Sequence, residues 1–206
     1  MADIFFIGDT HFGHEKTCTV FKRKDGCTPL RPFANAQEMD EEMIKRWNSV
    51  VKQDSKVYHL GDVVINLKHL SVMERLNGNK RLIRGNHDIA KTSDYLKYFK
   101  HIYGVRVLDD MVLSHVPLHP ASITQRWGVN VHGHYHANIV ERLVTKSSDL
   151  GSIEEYDVLE PDPLYFNVSV EQIDYTPIEL SELRSRIKAN REKYGDVVHG
   201  EYTHRK

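Results

Sequence analysis

Five short polar clusters in this chain carry side chains that could do chemistry. They are Asp9 with His11, Asp62, Asn86 with His87 and Asp88, His115, and His134 with His136. Their donors are carboxylate and amide oxygens and imidazole nitrogens, without a thiolate. That set suits manganese, iron, zinc, nickel or cobalt rather than a cysteine-held structural ion. Asp9 and His11 are two residues apart, so on extended backbone both can point the same way and share one ion. Seven or eight donors exceed the needs of one ion and suit two, about 3.5–4 Å apart. Two divalent ions would outweigh Asp9, Asp62 and a bridging hydroxide by one positive charge, enough to attract a phosphate oxygen. Such a pair also brings the pKa of bound water toward about 7. In Gly85-Asn86-His87-Asp88, asparagine offers a neutral oxygen, histidine a nitrogen or a proton, and aspartate a group that can orient the histidine.

These clusters can meet only if separate elements deliver them to one place. Ile4 to Ile7 reads as a strand closed by Gly8, and Lys56 to Leu60 as a second ending at Gly61-Asp62. Leu82-Ile83 ends a third, where Gly85 lets the backbone turn sharply. Between them, Asn35 or Asn35-Ala36 caps a helix reaching Val51, with Met39, Met43, Ile44, Trp47 and Val51 at helical spacing. Asn66 to Leu76 reads as another helix, stopped by Asn77-Gly78-Asn79. This alternation predicts a parallel sheet with its polar clusters at the C-terminal strand ends. The second half is richer in strands, over 102–108, 111–115, 129–132, 139–144 and 165–170, after a short helix over 92–100. Asp109-Asp110 makes a hairpin turn, and a terminal helix runs over 181–193. Together the halves predict two stacked sheets with helices outside.

The bulk numbers are those of an ordinary globule: 40% hydrophobic and 28% charged over 206 residues, one domain over 1–206. A net charge of -1 provides no global field for nucleic acid or a membrane surface. The chain begins without a signal-peptide pattern, and no apolar run reaches membrane-spanning length. Two cysteines, Cys18 and Cys27, make no disulfide framework, which fits a reducing cytoplasm. Residues 16–33 hold Lys16, Lys22, Arg23, Lys24 and Arg31, either as a basic wall beside the first cluster or as a solvated loop. Residues 145–163 form an acidic insertion or flap, and 195–206 a polar tail that can fray.

The ordered series Gly8-Asp9-Thr10-His11, Gly61-Asp62, Gly85-Asn86-His87-Asp88, Ser114-His115 and Gly133-His134-Tyr135-His136 resembles the calcineurin-like metallophosphoesterase superfamily. It spans about 130 residues, with all five blocks in family order. Asp9 through His14, Arg31-Pro32-Phe33 and Tyr165 through Glu171 resemble the small single-domain phosphoesterases of bacteria and phages. The resemblance implies an α/β fold, a four-layer αββα sandwich with two stacked mixed β-sheets. It implies one metal on Asp9, His11 and His136, a second on Asn86, His115 and His134, and Asp62 bridging both. Manganese comes first, with iron, zinc, nickel, cobalt or magnesium as alternatives.

The activity implied is in-line hydrolysis of a phosphate ester by a metal-bridging hydroxide. His87 would protonate the leaving oxygen, with Asp88 orienting it. His14, Arg31 and His119 are expected to contact substrate. Small nucleotide or cyclic phosphodiesters are preferred, with a nuclease on short nucleic acids or a phosphomonoesterase as alternatives. Gly61-Asp62 is followed by Val63-Val64-Ile65 rather than the Asp-Arg-Gly run of the protein serine/threonine phosphatases, and Asp88 stands where those carry Glu. Phosphoprotein substrates are therefore disfavoured. A non-catalytic reading, a binding scaffold like the retromer subunit of this fold, is opposed by the complete ligand set and His87.

Overall fold

A computed structural model describes residues 2–123, 127–147 and 155–195. The strands are β1 (Ile4–Ile7), β2 (Lys56–His59), β3 (Asn79–Ile83), β4 (His101–Tyr103), β5 (Val105–Leu108), β6 (Met111–Ser114), β7 (Val129–His132), β8 (Glu141–Ser147), β9 (Glu155–Pro161), β10 (Tyr165–Asn167) and β11 (Ile178–Glu179). The helices are α1 (Lys16–Thr19), α2 (Ala36–Val50), α3 (Thr92–Tyr95), α4 (Pro120–Ile123) and α5 (Leu180–Tyr194), with a 3-10 helix over Leu67–Arg75.

The molecule is α/β, with stacked sheets and helices. One sheet has the order β11-β1-β2-β3-β4, parallel from β1 to β4, with β11 antiparallel on the edge of β1. The other has the order β10-β7-β6-β5, in which only the β5–β6 pair is antiparallel. A parallel bridge between Gly8 and Ser169 ties the end of β1 to the chain just after β10, and so joins the two sheets. β8 and β9 form a separate antiparallel ribbon. Most of the acidic insertion is therefore a hairpin, while 148–154, like the tail beyond Gly195, lies outside the described residues.

Strand alternation explains how the sheets share one core. Met111 and Leu113 of β6 face the main cluster, with Phe6, Leu82, Val131 and Phe166, while Val112 between them turns to a smaller cluster with Ile123, Leu164 and Tyr165. β1 and β2 are buried along nearly their whole length, as parallel strands covered on both faces must be. α2 starts where Asn35 accepts a hydrogen bond from Glu38 N, and it buries the expected stripe of Met39, Met43, Ile44 and Trp47. The same Asn cap operates at Asn66, which accepts from Lys68 N.

Several predicted elements differ. The stretch over 102–108 is two strands in different sheets, with the crossing at Gly104, because β4 adds to β3 while β5 turns back on β6. Residues 66–76 wind as a 3-10 helix, 92–100 forms helix only over Thr92–Tyr95, and α1 interrupts the expected loop over 16–33. Among the described residues, no helix is long and apolar enough to cross a membrane.

Candidate metal centre

β1, β2, β3, β6 and β7 all end on one side of the molecule, and the residue blocks that follow them form one cluster. Parallel pairing in register brings Ile7 beside His59 and His59 beside Leu82, so the loops after β1, β2 and β3 emerge together. Asp9 N donates to Gly61 O (2.9 Å) and His11 N to Asp62 O (3.1 Å). His134 N donates to Asp9 Oδ2 (2.9 Å) across 125 residues of sequence, and His87 N to Asp62 Oδ1 (2.8 Å).

The donor atoms form two overlapping sets. Asp9, His11 and His136 each offer a ligand atom within 4.8 Å of the others, as do Asp9, Asp62 and His115. On the far side, Asn86 Oδ1 lies 2.9 Å from His115 Nε2 and 3.0 Å from His134 Nδ1. Asp62 Oδ2 stands between the sets, 3.7 Å from His11 Nε2 and 3.4 Å from His115 Nε2. All seven residues expected to hold metal thus belong to one connected cluster, each close to at least one other.

The backbone is unusual at these positions. Asp9, His11, Asp62, His134 and His136 have φ between 47° and 70°. These are five of the eight non-glycine residues with positive φ among the described residues. Side chains disfavour this conformation, and such strain concentrates where the surroundings force a functional geometry. Two glycines make room for the cluster. A Cβ on Gly85 would strike the Asp62 carboxylate, and one on Gly133 the Asp9 carboxylate.

Charge and burial suit a cation. Asp9 is fully buried, and its Oδ1 has no hydrogen-bond partner among the described residues. Oδ2 accepts from His134 N and from Ser169 Oγ, the latter at 2.9 Å. Burial pushes the Asp9 carboxyl up to about 6, although His136 and His115 pull it down. An unpartnered oxygen on a buried carboxylate is costly unless a positive charge meets it. Burial and the Arg31 guanidinium keep His11 well below the usual histidine range, so its imidazole is neutral and able to coordinate. His115 is raised to about 9: burial opposes this, but the hydrogen bond with Asp62 and the charge of Asp9 outweigh it. With nitrogen and oxygen donors only, the residues present fit a divalent transition ion.

Other expected site residues fall differently. Arg31 does not reach toward substrate, because it is fully buried beneath the first set. Its guanidinium donates to Asp9 O (2.5 Å), Thr10 O (2.7 Å) and Glu171 Oε1 (2.8 Å). Asp88 does not orient the His87 ring. Its carboxylate accepts from Asp62 N and Gly85 N (both 2.8 Å) and from Val63 N (3.1 Å), which clamps the loops after β2 and β3 together. His87 is exposed, with its ring centroid 5.7 Å from that of His11. The His14 ring lies 5.8 Å from His11 and packs edge-on against Phe21. His119 is exposed ahead of α4, where its Nδ1 accepts from Ala121 N (3.2 Å). His132, beside the last block, is buried and lowered to about 4 by burial, with Nδ1 at 2.7 Å from Gly133 O.

Glu171 is the functional residue that spacing alone missed. Its side chain is fully buried, and Oε1 lies 3.1 Å from His136 Nδ1 while accepting from Arg31 Nε. Burial alone would raise its carboxyl, but Arg31 and His136 bring it down to about 2. Bonding His136 through Nδ1 fixes the ring and leaves Nε2 for a ligand, the usual role of a carboxylate behind a metal-binding imidazole.

No family model matches the chain. The uncharacterized protein MJ1445 of Methanocaldococcus jannaschii is 34% identical over 185 residues, covering 87% of this chain and 88% of that protein. The chain belongs to that protein's family. The Gene 66 protein of Mycobacterium phage L5 is 31% identical over 93 residues, 43% of this chain and 41% of the phage protein. Among solved structures, AQ665 of Aquifex aeolicus, described as a protein of unknown function, superposes with a TM-score of 0.60. It covers 90% of this chain and 100% of its own at 23% identity, a likeness of fold.

Proposed function

We propose that this protein is a calcineurin-like phosphoesterase with an αββα sandwich fold, which hydrolyses phosphate esters on two divalent ions, manganese first among them. The observation that carries this reading is the position of Asp62 Oδ2 between two sets of donors, 3.7 Å from His11 Nε2 and 3.4 Å from His115 Nε2. Asp9, His11 and His136 would hold one ion, Asn86, His115 and His134 the other, with Asp62 shared. Such a pair supplies Lewis acidity toward a phosphate ester and makes water nucleophilic near neutral pH.

The chain's own residues do the rest. His87, exposed beside His11, stands where a phosphate oxygen on the cluster would meet it and donates a proton to the leaving oxygen. Asp88 serves this indirectly: by gathering the backbone N–H groups of Asp62, Val63 and Gly85 it holds His87 and Asp62 in one rigid frame. Glu171 and Arg31 fix the other side. Small nucleotide or cyclic diesters remain the preferred substrates. A cytoplasmic setting goes with the free thiols of Cys18 and Cys27.

Manganese-loaded protein should hydrolyse bis-p-nitrophenyl phosphate or p-nitrophenyl phosphate, with turnover lost in Asp62→Ala and His87→Ala. Absence of turnover on both esters, or a fully active Asp62→Ala protein, would defeat the proposal.

A further inference from the structure

Beside His87, and lined by none of the seven residues of the ligand cluster, lies a slot with a cavity volume of about 210 Å³. Its walls come from the loops after β2 and β3, the same loops that carry Asp62 and Asn86. Ile65, Leu67 and Ile89 line it with His87, over Tyr95 and beside Asn66. The three aliphatic side chains are 39%, 47% and 84% exposed. Single exposed aliphatics are ordinary, but three converging on one cavity beside a catalytic candidate point to a ligand.

Two features make the slot a formed site. First, its loops are rigid. Asp88 clamps Asp62 and Val63 to Gly85, and Arg84 donates from Nε to Asp88 O (2.5 Å) and from its terminal nitrogen to Ala90 O. The Arg84 guanidinium also lies over the Tyr95 ring, 5.6 Å from its centroid. Ile89 is therefore held out in water by a braced turn. Second, among the described residues the lining contains no carboxylate, lysine or arginine. Asn66 Oδ1 is already engaged in capping the 3-10 helix. The slot offers little to a second phosphate or a charged group and much to an uncharged apolar face.

We infer that this slot receives the leaving alcohol of the substrate, and that this alcohol carries an uncharged ring, as in a nucleoside or an aryl alcohol. The inference rests on the phosphoesterase reading, because it is His87, donating to the leaving oxygen, that joins slot to cluster. A phosphate held between the two ligand sets with its leaving oxygen at His87 extends its leaving group over Ile89 and Leu67. Hydrolysis breaks the phosphorus–oxygen bond, the alcohol leaves with a proton from His87, and water supplies the oxygen gained by phosphate.

Methyl-labelled NMR of the full metal-free chain tests the slot independently of turnover. Adenosine and 2-phenylethanol should shift the methyl signals of Ile65, Leu67 and Ile89, and glycerol should not. The stronger of the two ring compounds identifies the ring's source. Kinetics of the manganese-loaded protein give a second reading. The ratio of kcat/KM for benzyl over methyl esters of the same phosphate should fall about tenfold or more in Ile89→Ser and Leu67→Ser, the scale of a lost apolar contact. Both positions are well exposed, so the variants keep the core. Unmoved slot methyls with both ring compounds, or an unchanged benzyl-to-methyl ratio in an active enzyme, would overturn the inference and leave the phosphoesterase reading standing. Absence of all turnover with the methyl shifts intact would overturn the phosphoesterase reading, and with it the leaving-group assignment, and leave only a ring-binding slot.

Discussion

The two halves of the candidate metal centre are built differently. The half made by Asp9, His11 and His136 sits over buried charge. Asp9 contributes a carboxylate, Glu171 holds His136, and Arg31 ties Glu171 to the backbone of Asp9 and Thr10. The half made by Asn86, His115 and His134 has amide and imidazole donors, with no carboxylate of its own, that mainly touch one another, and Asn86 is exposed. Its main brace is His115 Nδ1 against Leu60 O (2.7 Å). Its negative charge comes from the shared Asp62 and, across the boundary between the halves, from Asp9. The first half should therefore bind its ion tightly, in a preformed setting, and the second more weakly and more accessibly. A centre of this kind should load in order.

The largest effect should come from the shared residue. Asp62→Asn removes the charge both halves use, and should lower turnover by more than the roughly 10–100-fold seen when an outer-shell partner is lost, measured as kcat/KM at saturating manganese. Arg31→Met should come next in stability. It takes from the buried Glu171 its permanent cation and leaves it only His136, at a cost of up to roughly 3–5 kcal/mol, read from urea unfolding of metal-free protein. The Arg31→Met, Glu171→Met double variant should recover most of that loss. Glu171→Gln keeps the shape but weakens the hold on His136. Calorimetry should find the tighter metal site weakened roughly 10–100-fold and the weaker one little changed; equal losses at both would erase the distinction between halves.

pH separates the halves further. Asp9 is raised to about 6, so below that pH its carboxyl is protonated and cannot ligate. His115, raised to about 9, must give up a proton before it binds an ion. Metal affinity should rise as pH climbs from 6 toward 9 and uptake should release protons, with the second half filling at the higher pH. Calorimetry in buffers of different ionisation heat reads this directly. The smallest effect should be Ser169→Ala, which removes one hydrogen bond to Asp9 Oδ2 and weakens only the tight site, by about fivefold, for a net hydrogen bond of about 1 kcal/mol.

Much of this was legible in the sequence because strand ends and polar blocks are local patterns. Gly-Asp-Thr-His after Ile4 to Ile7 and Gly-Asp after Lys56 to Leu60 announce both the strand and what it delivers. The stripe from Met39 to Trp47 announces α2. What was hidden depends on depth and direction. Arg31 lies among lysines and prolines and reads as surface charge, yet it is buried, because its three acceptors come from residues 9, 10 and 171. Glu171 follows a strand-like run with no motif spacing of its own; a lone acid just after apolar Val168 and Val170 was the available signal. Asp88 adjoins His87 in sequence, but its carboxylate turns inward to three backbone N–H groups. The left-handed backbone at five candidate ligands follows from long-range packing and has no local signature.

The most direct test is titration of metal-free protein with manganese, followed by calorimetry near pH 8. The account predicts two ions per chain, one bound distinctly more tightly, with the weaker event lost and the tighter one weakened in Asp62→Asn. A single ion per chain, or two whose binding is untouched by Asp62→Asn, would contradict it.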